Sequence, residues 1–394
     1  MKPALDAVTV VALEQAVAAP FATRHLADMG AHVIKVERPG AGDFARRYDD
    51  VVQGISAHFA WLNRSKKSVA IDLTTDSGKD ALARLLATAD VFVYNLGPGS
   101  IERLGFAPAD LRRQHPRLII AELTGFGSGG PYADRKAYDL IIQAEVGLIS
   151  ITGEENAESK VGIPVADIAA GTYLLQGILA ALYARERTGE GAYVSLSLFD
   201  ALVEWMGYPV YHALYGTADP PRMGMGHPSL VPYDAYPTAD GSKVLIGIQN
   251  DAGWRQLAVH VLGRPDLVDD PDFATNIARC RNRSRVDALV AETTSRLSAA
   301  DLTDQLNAAS VANGRIRTVA ELVGHPQLTA RSRWSTVDSP VGPIRMLLPP
   351  LADSIAGVPS TSIPAVGENS AEVLASLGYS DVEIRQLSEA WWPR

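Results

Sequence analysis

Cysteine is almost missing from this sequence, because Cys280 is the only one among 394 residues. A single cysteine excludes an intrachain disulfide and any metal cage built from several thiolates. The eight histidines form no H-E-x-x-H motif and no close pair at helical spacing beside a carboxylate, so the sequence indicates no metal site. The scarcity of cysteine fits a reducing compartment, and we expect a cytoplasmic protein.

Positive charge is also in deficit, with 36 Lys and Arg against 45 Asp and Glu and a net charge of −9. Bulk electrostatics therefore argues against a nucleic-acid or anionic-membrane partner, and an anionic ligand must meet locally clustered cations. Glu14 and Gln15 split the apolar stretch from Val8 to Ala22, which leaves no h-region for a signal peptide. We see no other segment with the roughly 20 uninterrupted apolar residues that a membrane span needs.

Apolar residues are abundant, at 47% of the total, and they alternate between strand-like and helix-like patterns. The predicted strands of the first half are Val8–Leu13, His32–Glu37, Ser68–Leu73, Val91–Leu96, Leu118–Leu123 and Ala192–Leu198. A helix is predicted from Pro20 to Met29, after the first strand. This alternation predicts an α/β fold with a parallel, doubly wound, Rossmann-like sheet, whose ligands bind at the carboxyl ends of the strands.

The second half predicts a smaller α/β domain joined to the first by long linkers. A long helix over Phe199–Leu214 leads into a stretch rich in Gly and Pro, and a strand follows at Lys243–Gln249. Further helices are predicted around Gly253–Leu262, Arg283–Leu297, Ala300–Ala309, Ser370–Leu377 and Asp381–Ala390, with turn-rich sequence over Ser339–Pro364. We therefore expect a large domain (1–200), a linker (201–230), a small domain (231–325) and a return linker with C-terminal helices (326–394).

Gly125, Gly127 and Gly130 satisfy the G-x-G-x-x-G spacing of a dinucleotide-binding loop. However, Pro131 follows at once, no helix opens on the glycines, and no strand ending in an acid lies at the expected distance. A dinucleotide site is therefore not predicted. The sequence also has no G-x-S-x-G elbow to support serine-hydrolase chemistry.

Asp167 stands among small and apolar residues, at the entrance to a predicted helix that ends near Arg187. An aspartate at a helix entrance often serves as the N-cap, which stabilises by roughly 0.5–2 kcal/mol. A carboxylate is also a competent covalent catalyst. The residues alone leave both roles open, and the two can coexist.

Three cations stand beside predicted strand ends or glycine turns: Arg38, Arg103 and Lys136. Glycine turns let the backbone approach a phosphate, and arginine offers a planar fork to its oxygens. Any one of them can be solvated surface charge, but their positions at successive loops of one sheet favour an anion site.

Ordered matches over nearly the whole chain resemble the class III CoA-transferases, the family of formyl-CoA, carnitine and bile-acid CoA-transferases. The matching segments are LADMGAHVIKVERPGAGD at 26–43, NRSKKSVAIDL at 63–73, NLGPGSIERLGF at 95–106, TGFGSGGPYADRKAYD at 124–139, 162–171, TGEGAYVSLSLFDA at 188–201, 226–228 and 232–233. The resemblance implies that Asp167 is the nucleophile. In the family mechanism this carboxylate attacks an acyl-CoA thioester, and transfer proceeds through a mixed anhydride, an enzyme-bound CoA thioester and a second anhydride.

The resemblance also implies where coenzyme A and the acyl group bind. The matching CoA-contacting positions are Gln15, Ala16, Arg38, Leu73, Asn95, Leu96, Arg103 and Lys136, with the three cations as phosphate partners. Tyr138, Gln249 and Asn250 are expected at the acyl pocket, and a short or branched dicarboxylic acid is the expected substrate. Family members form interlocked homodimers, so the resemblance implies a homodimer here.

Two alternatives stay open. The α-methylacyl-CoA racemases are a related branch that uses a His/Asp pair to move an α-proton. In this chain Tyr138 replaces their histidine before Asp139, and no histidine lies between His115 and His212, so the acid/base partner is missing. The other alternative is a catalytically silent acyl-CoA-binding protein, which needs the cations but not Asp167.

Overall fold

The computed structural model describes residues 3–352 and 362–392. Its strands are β1 Thr9–Leu13, β2 His32–Glu37, β3 Lys66–Ala70, β4 Val91–Tyr94, β5 Ile119–Thr124, β6 Gly153–Glu154, β7 Ala157–Glu158, β8 Tyr193–Ser197, β9 Tyr233–Pro237, β10 Lys243–Gly247, β11 Ala312–Arg315, β12 Trp334–Val337 and β13 Ile344–Leu347. Its α-helices are α1 Ala18–Asp28, α2 Ala57–Leu62, α3 Asp76–Ala87, α4 Ser100–Arg103, α5 Pro108–Gln114, α6 Asp139–Glu145, α7 Leu148–Ile151, α8 Val165–Thr188, α9 Leu198–Trp205, α10 Gly207–Tyr215, α11 Asp251–His260, α12 Asn276–Arg281, α13 Arg283–Thr294, α14 Ala299–Ala308, α15 Val319–Val323, α16 Pro326–Ala330, α17 Ser370–Ser376 and α18 Asp381–Trp391, and short 3₁₀ helices cover Phe44–Arg47 and Pro265–Val268.

The chain divides into two compact units. The first comprises Met1–Leu148, Val161–Val210 and Arg331–Arg394, and the second comprises Ile149–Lys160 and Tyr211–Ala330. The segment 149–160, which holds β6 and β7, therefore groups with the second unit although the predicted boundaries placed it in the large domain.

The first unit is built on a parallel sheet with the strand order β3-β2-β1-β4-β5-β8 among the described residues. All five neighbouring pairs are parallel. The direction of the strand order reverses between β1 and β4, which is the switch point where ligands bind in open α/β sheets. One face of the sheet packs with α1 and α8, and the other packs with α3, α17 and α18. The α/β fold with a parallel central sheet is thus confirmed.

Most predicted elements differ from the observed ones by one or two residues at their ends, and two differ more. β3 begins at Lys66 and ends at Ala70, earlier than predicted, because the ammonium of Lys66 is buried against Glu14 and the strand accommodates a charge that an apolar pattern excludes. The long helix predicted over Phe199–Leu214 is wrong, since it is two helices, α9 and α10, that meet at Met206. Pro209 has no backbone N–H to donate to the preceding turn, which accounts for the interruption.

α8 is the one helix of the described ranges that is long and apolar enough to cross a membrane by length and composition. Its apolar run is interrupted by Asp167, Gln176 and Arg185, in agreement with the expectation that no segment has roughly 20 uninterrupted apolar residues. Residues such as Ala169, Leu174 and Ile178 are fully buried and belong to the core between α8, α1 and the sheet. These contacts account for the apolar composition of α8 as that of a core helix.

The second unit has its own core around an antiparallel sheet with the order β11-β10-β9. Trp254 is buried there, and the guanidinium of Arg279 donates to the Val231 and Phe273 carbonyls. Arg222 holds the β6–β7 hairpin by donating to the carbonyls of Glu154 and Glu155.

Part of the turn-rich stretch Ser339–Pro364, which belongs to the first unit, lies outside the described residues, and β13 forms within the rest of it.

Candidate active site

A cleft of about 350 Å³ opens at the carboxyl ends of β1, β2, β3 and β4. We name it the strand-end cleft, and its lining residues are Leu13, Glu14, Gln15, Val36, Glu37, Arg38, Ala41, Gly42, Asp43, Phe44, Arg47, Ile71, Asp72, Leu73, Thr74, Leu96 and Leu104. Four of the predicted CoA-contacting residues are among them, namely Gln15, Arg38, Leu73 and Leu96. The position agrees with the rule that ligands of parallel α/β sheets bind at this edge.

The loop between β1 and α1 is fixed by side chains from neighbouring strands. Asn95 accepts a hydrogen bond from the Gln15 amide at 2.8 Å and donates one to the Gln15 carbonyl at 2.9 Å. Ala16 has φ of +63°, a left-handed conformation that is costly for a residue with a Cβ, and Asp43 accepts its amide at 3.1 Å. The side chain of Asn95 therefore holds the backbone of the cleft wall.

Buried ion pairs form the floor of the strand-end cleft. The Lys66 ammonium lies 2.7 Å from Glu14, and the Lys35 ammonium lies 2.9 Å from Asp43 and 3.4 Å from Glu14. Burial opposes the ionisation of Glu14, but the charges of Lys66 and Lys35 outweigh it and hold the pKa of Glu14 below its usual value. Burial also lowers the pKa of Lys66 to about 8, although Glu14 supports its charge.

The predicted phosphate-binding cations are not all at this cleft. Arg38 is exposed at its rim, whereas Arg103 is folded onto its own loop, where it donates to the Pro98 carbonyl at 3.2 Å and to Ser100 Oγ at 2.7 Å. Lys136 is exposed and does not line the cleft. Arg47 does line it, and sequence reasoning missed this residue. Arg47 lies four residues after the match at 26–43 and outside every matching segment.

Asp167 lies in the first turn of α8, as the third helical residue. The alternative that Asp167 is the N-cap is wrong, because Pro164 occupies that position and offers no side-chain acceptor. Gly171, one turn further on, permits the close packing of α8 on α1, since a Cβ there would lie 2.6 Å from the Ala18 carbonyl oxygen. Asp167 is thereby held on a helix packed tightly against the start of α1, next to the β1–α1 loop.

Asp139 is the charged residue that shifts the pKa of Asp167. Its Oδ1 accepts the amide of Ala166 at 2.7 Å and that of Asp167 at 3.3 Å. Burial and the negative charge of Asp139 raise the pKa of Asp167 to about 7. Near neutral pH, Asp167 is therefore present in both its protonated and its ionised form.

Two tyrosines belong to the same neighbourhood. Burial, with the charges of Asp43, Asp167 and Tyr138, raises the pKa of Tyr48 to about 12, so its hydroxyl stays protonated. Tyr138 itself is 65% exposed and directly precedes α6. Sequence reasoning selected Tyr138 but missed Tyr48, which follows a charged segment and has no motif of its own.

The other two residues predicted for the acyl pocket belong to the second unit. Gln249 and Asn250 are exposed after β10, and Asn250 Oδ1 accepts the amide of Gly253 at 2.8 Å. This bond makes Asn250 the N-cap of α11. The predicted pocket role of both residues stays a prediction.

Comparison with known proteins assigns the chain to a family. The model of CoA-transferase family III matches residues 5–370. The succinate–glutarate CoA-transferase of Agrobacterium fabrum is similar, with 35% identity over 95% of this chain and 96% of that protein. The succinyl-CoA–D-citramalate CoA-transferase of Chloroflexus aurantiacus is also 35% identical, over 97% of this chain and 96% of that protein.

Solved structures agree with the sequence comparisons. A CAIB/BAIF family protein from Brucella suis has a TM-score of 0.82 and 34% identity, covering 96% of this chain and 100% of that one. A hypothetical protein from Mycobacterium tuberculosis has a TM-score of 0.83 and 32% identity, covering 94% and 99% of the two chains. The chain is therefore an enzyme of CoA-transferase family III.

Proposed function

We propose that this enzyme moves coenzyme A from an acyl-CoA to a free carboxylic acid through covalent intermediates on Asp167. An ionised Asp167 oxygen attacks the thioester carbonyl, the C–S bond breaks, and an acyl-aspartyl anhydride and a CoA thiolate result. The thiolate attacks the aspartyl carbonyl, releases the donor acid and leaves an aspartyl-CoA thioester. The acceptor carboxylate attacks that thioester to form a second anhydride, and the thiolate then attacks the acceptor's carbonyl, which restores the Asp167 carboxylate.

The position and environment of Asp167 carry this proposal. A carboxyl with a pKa of about 7 is half-ionised near neutral pH and is more basic than an ordinary aspartate, which favours attack on a carbonyl. It lies at the start of a helix, where the backbone dipoles favour negative charge in a transition state. Water must be kept from the anhydride, and partial burial of Asp167 supports that requirement.

The strand-end cleft is the proposed binding place of the CoA moiety. Arg38 and Arg47 provide positive charge at its rim, and each can form charge-assisted hydrogen bonds to a phosphate. Gln15, Leu73 and Leu96 provide the rest of the contact surface, next to Ala16 in the β1–α1 loop that Asn95 holds. We further propose that Arg103 and Lys136 bind phosphate groups after a change of side-chain rotamer, which their exposure to solvent permits.

Short dicarboxylic acids are the proposed acceptor class. The names of similar enzymes pair succinate with glutarate, D-citramalate and mesaconate, and others act on oxalate. All these acids carry a second carboxylate beyond the one that reacts. Tyr138 is proposed to contact the acyl part.

A screen of acyl-CoA donors against carboxylic acids tests the function directly. We expect mass spectrometry to detect a new acyl-CoA with short dicarboxylic acids, and we expect Asp167→Asn to lose transfer by at least about 10³-fold. Asp200→Asn is the matched control, because Asp200 is also a first-turn aspartate, on α9, and should leave transfer unchanged. Normal transfer by a folded Asp167→Asn protein would refute the mechanism.

Trapping separates this proposal from its two alternatives. Hydroxylamine or borohydride should label Asp167 after incubation with acyl-CoA, because both reagents intercept an activated carboxyl. A 2-methylacyl-CoA should take up no deuterium at its α-carbon in heavy water. Rapid α-deuteration without a trapped adduct would favour a racemase, and CoA binding without either reaction would favour a silent binding protein.

We also propose that the enzyme is a cytoplasmic homodimer. Tyr183, Trp205 and Tyr208 of the first unit are 63%, 48% and 56% exposed, and such large exposed aromatics are typical of a protein-protein contact. Analytical ultracentrifugation should give twice the mass of the chain. A monomer at micromolar concentration would contradict this part of the proposal.

A further inference from the structure

We infer that Asp139 is a positioning residue for the reacting carboxylate, since it caps the helix that carries Asp167 and places a like charge beside it. The inference rests on the proposed role of Asp167. It goes beyond that role because neither the sequence motifs nor the proposed transfer mechanism assigns Asp139 a part in transfer.

α8 begins without a cap of its own. Its N-cap residue is Pro164, which has no side-chain acceptor, and the first amides of any helix need partners from outside the helix. Asp139, from the start of α6, supplies this acceptor to Ala166 and Asp167. Losing such a cap costs typically about 1 kcal/mol and loosens the first turn, which is the turn that carries Asp167.

Asp139 is in turn held by a buried amide. Gln143 is fully buried, and its Nε2 donates to Asp139 Oδ2 at 2.6 Å. Its Oε1 accepts the amide of Val161 at 3.0 Å, three residues before Pro164. Gln143 thus connects Asp139 to the segment that leads into α8. Both carboxylate oxygens of Asp139 accept hydrogen bonds. A rigid support of this kind is what a positioned nucleophile needs.

The charge of Asp139 has a chemical consequence as well as a structural one. Ionised Asp139 repels an ionised Asp167, and the repulsion ends when Asp167 becomes a neutral anhydride while the negative charge moves to the CoA thiolate. Forming the covalent intermediate therefore relieves an unfavourable interaction. Tyr48 also interacts with Asp167, but its raised pKa of about 12 keeps its hydroxyl neutral near pH 7, so Asp139 supplies the charge that this effect requires.

The test uses two variants of the full-length enzyme. Asp139→Asn removes the charge and keeps an oxygen for the cap, whereas Asp139→Ala removes both. For Asp139→Asn we expect the acidic limb of kcat/KM to move from about pH 7 to lower pH by about one unit. For Asp139→Ala we expect the same movement and, in addition, a loss of kcat of about tenfold or more from the misplaced nucleophile.

Asp240→Asn is the matched control, because Asp240 Oδ2 accepts the Ala299 amide at 2.9 Å and likewise serves a helix start, that of α14. It should lower stability without moving the acidic limb. The pKa of Asp167 is also read without activity, by carboxyl ¹³C NMR of labelled protein, with Asp167→Asn used to assign the signal. An unmoved Asp167 titration in Asp139→Asn overturns the inference, whatever the transfer assay shows. If the Asp167 titration moves but the Asp167→Asn variant still transfers CoA, the electrostatic effect of Asp139 on Asp167 is confirmed, whereas the proposed nucleophile, and with it the positioning role in transfer, is refuted.

Discussion

The ammonium of Lys66 lies 2.7 Å from the carboxylate of Glu14, and neither side chain is exposed to solvent. The pair is completed by hydrogen bonds from Lys66 to Asn63 and from Thr23 to Glu14. Glu14 directly precedes the loop of Gln15 and Ala16 that lines the strand-end cleft. The buried pair therefore connects the stability of the sheet with the shape of the proposed CoA site.

Removing one partner of this pair should be strongly destabilising. For Lys66→Met we expect a loss of about 3–5 kcal/mol in the free energy of unfolding, because Glu14 keeps its buried charge with less compensation. Urea denaturation followed by circular dichroism measures the loss. The double variant Lys66→Met with Glu14→Gln should recover part of it, since the uncompensated charge is removed.

Lys67→Met is the control for that measurement. Lys67 is the next residue on β3 and pairs at 2.5 Å with Glu372, but both side chains are largely exposed. Exposed pairs contribute less than about 1 kcal/mol. Equal losses for the two lysine variants would show that the buried pair is no more important than a surface pair.

Arg38 and Arg47 should each contribute to the affinity for coenzyme A. Replacing either with Ala should raise the Kd for CoA by about tenfold or more, because a charge-assisted hydrogen bond contributes roughly 1.5–3 kcal/mol. The KM for acyl-CoA should rise more than kcat falls. Arg113→Ala is the control, since Arg113 is an exposed arginine of α5 paired with Asp110. If calorimetry finds CoA binding unchanged in both cleft variants, the proposed phosphate partners are wrong.

Asp167→Asn should make the protein more stable above pH 7. The folded state raises the pKa of Asp167 to about 7 from its usual 3.8, so the stability that its protonated form contributes is present below about pH 4 and is lost as the pH rises through 7. Asparagine does not ionise, so the variant does not lose this stability as the pH rises. Each pH unit corresponds to about 1.4 kcal/mol, so the gain at pH 8 is at most about 4 kcal/mol. Thermal melts at pH 4 and pH 8 should show a difference only at the higher pH.

The parallel sheet could be predicted from sequence because its strands are short apolar runs between helical patterns. The strand starts were less predictable where a charge is buried, as at Lys66, since its partner Glu14 is 52 residues away. Asp167 was found through the family resemblance. Its partner Asp139 was not, because a cap supplied by another helix leaves no local pattern in the sequence.

The CoA-contacting positions show the same limit. Asn95 matched a family position, but the structure gives its side chain two hydrogen bonds to the backbone of Gln15, 80 residues away. Arg47 lines the cleft without belonging to any motif, since a 3₁₀ turn capped by Asp43 brings it there. Sequence patterns report local structure, and these contacts depend on which loops the sheet brings together.

Asn95→Ala should impair the cleft through the backbone of Gln15. We expect a rise of about tenfold in the KM for acyl-CoA, because two hydrogen bonds of roughly 1 kcal/mol each hold this loop. Asn276→Ala is the control, since Asn276 makes a similar two-bond bridge to Ser229 and Val231 in the second unit. Both variants should lose similar stability in thermal melts. An unchanged KM in Asn95→Ala would show that the bridge does not shape the binding site.

Gly171→Ala should reduce transfer by moving the helix that carries Asp167. A Cβ at position 171 would lie 2.6 Å from the Ala18 carbonyl and 3.0 Å from the Phe21 ring, and backbone atoms cannot yield as a flexible side chain can. The added methyl group should therefore push α8 away from α1, at a cost of about 1–3 kcal/mol in stability. We expect kcat to fall by about tenfold to a hundredfold, because displacing a nucleophile by about 1 Å has effects of this size. Gly207→Ala is the matched control, since Gly207 also belongs to a helix, but a Cβ added there would have no neighbouring atom within 4 Å. That variant should keep its activity and gain stability from the better helix propensity of Ala. If Gly171→Ala folds with normal kcat, the close packing of α1 and α8 is not what places the reacting carboxylate.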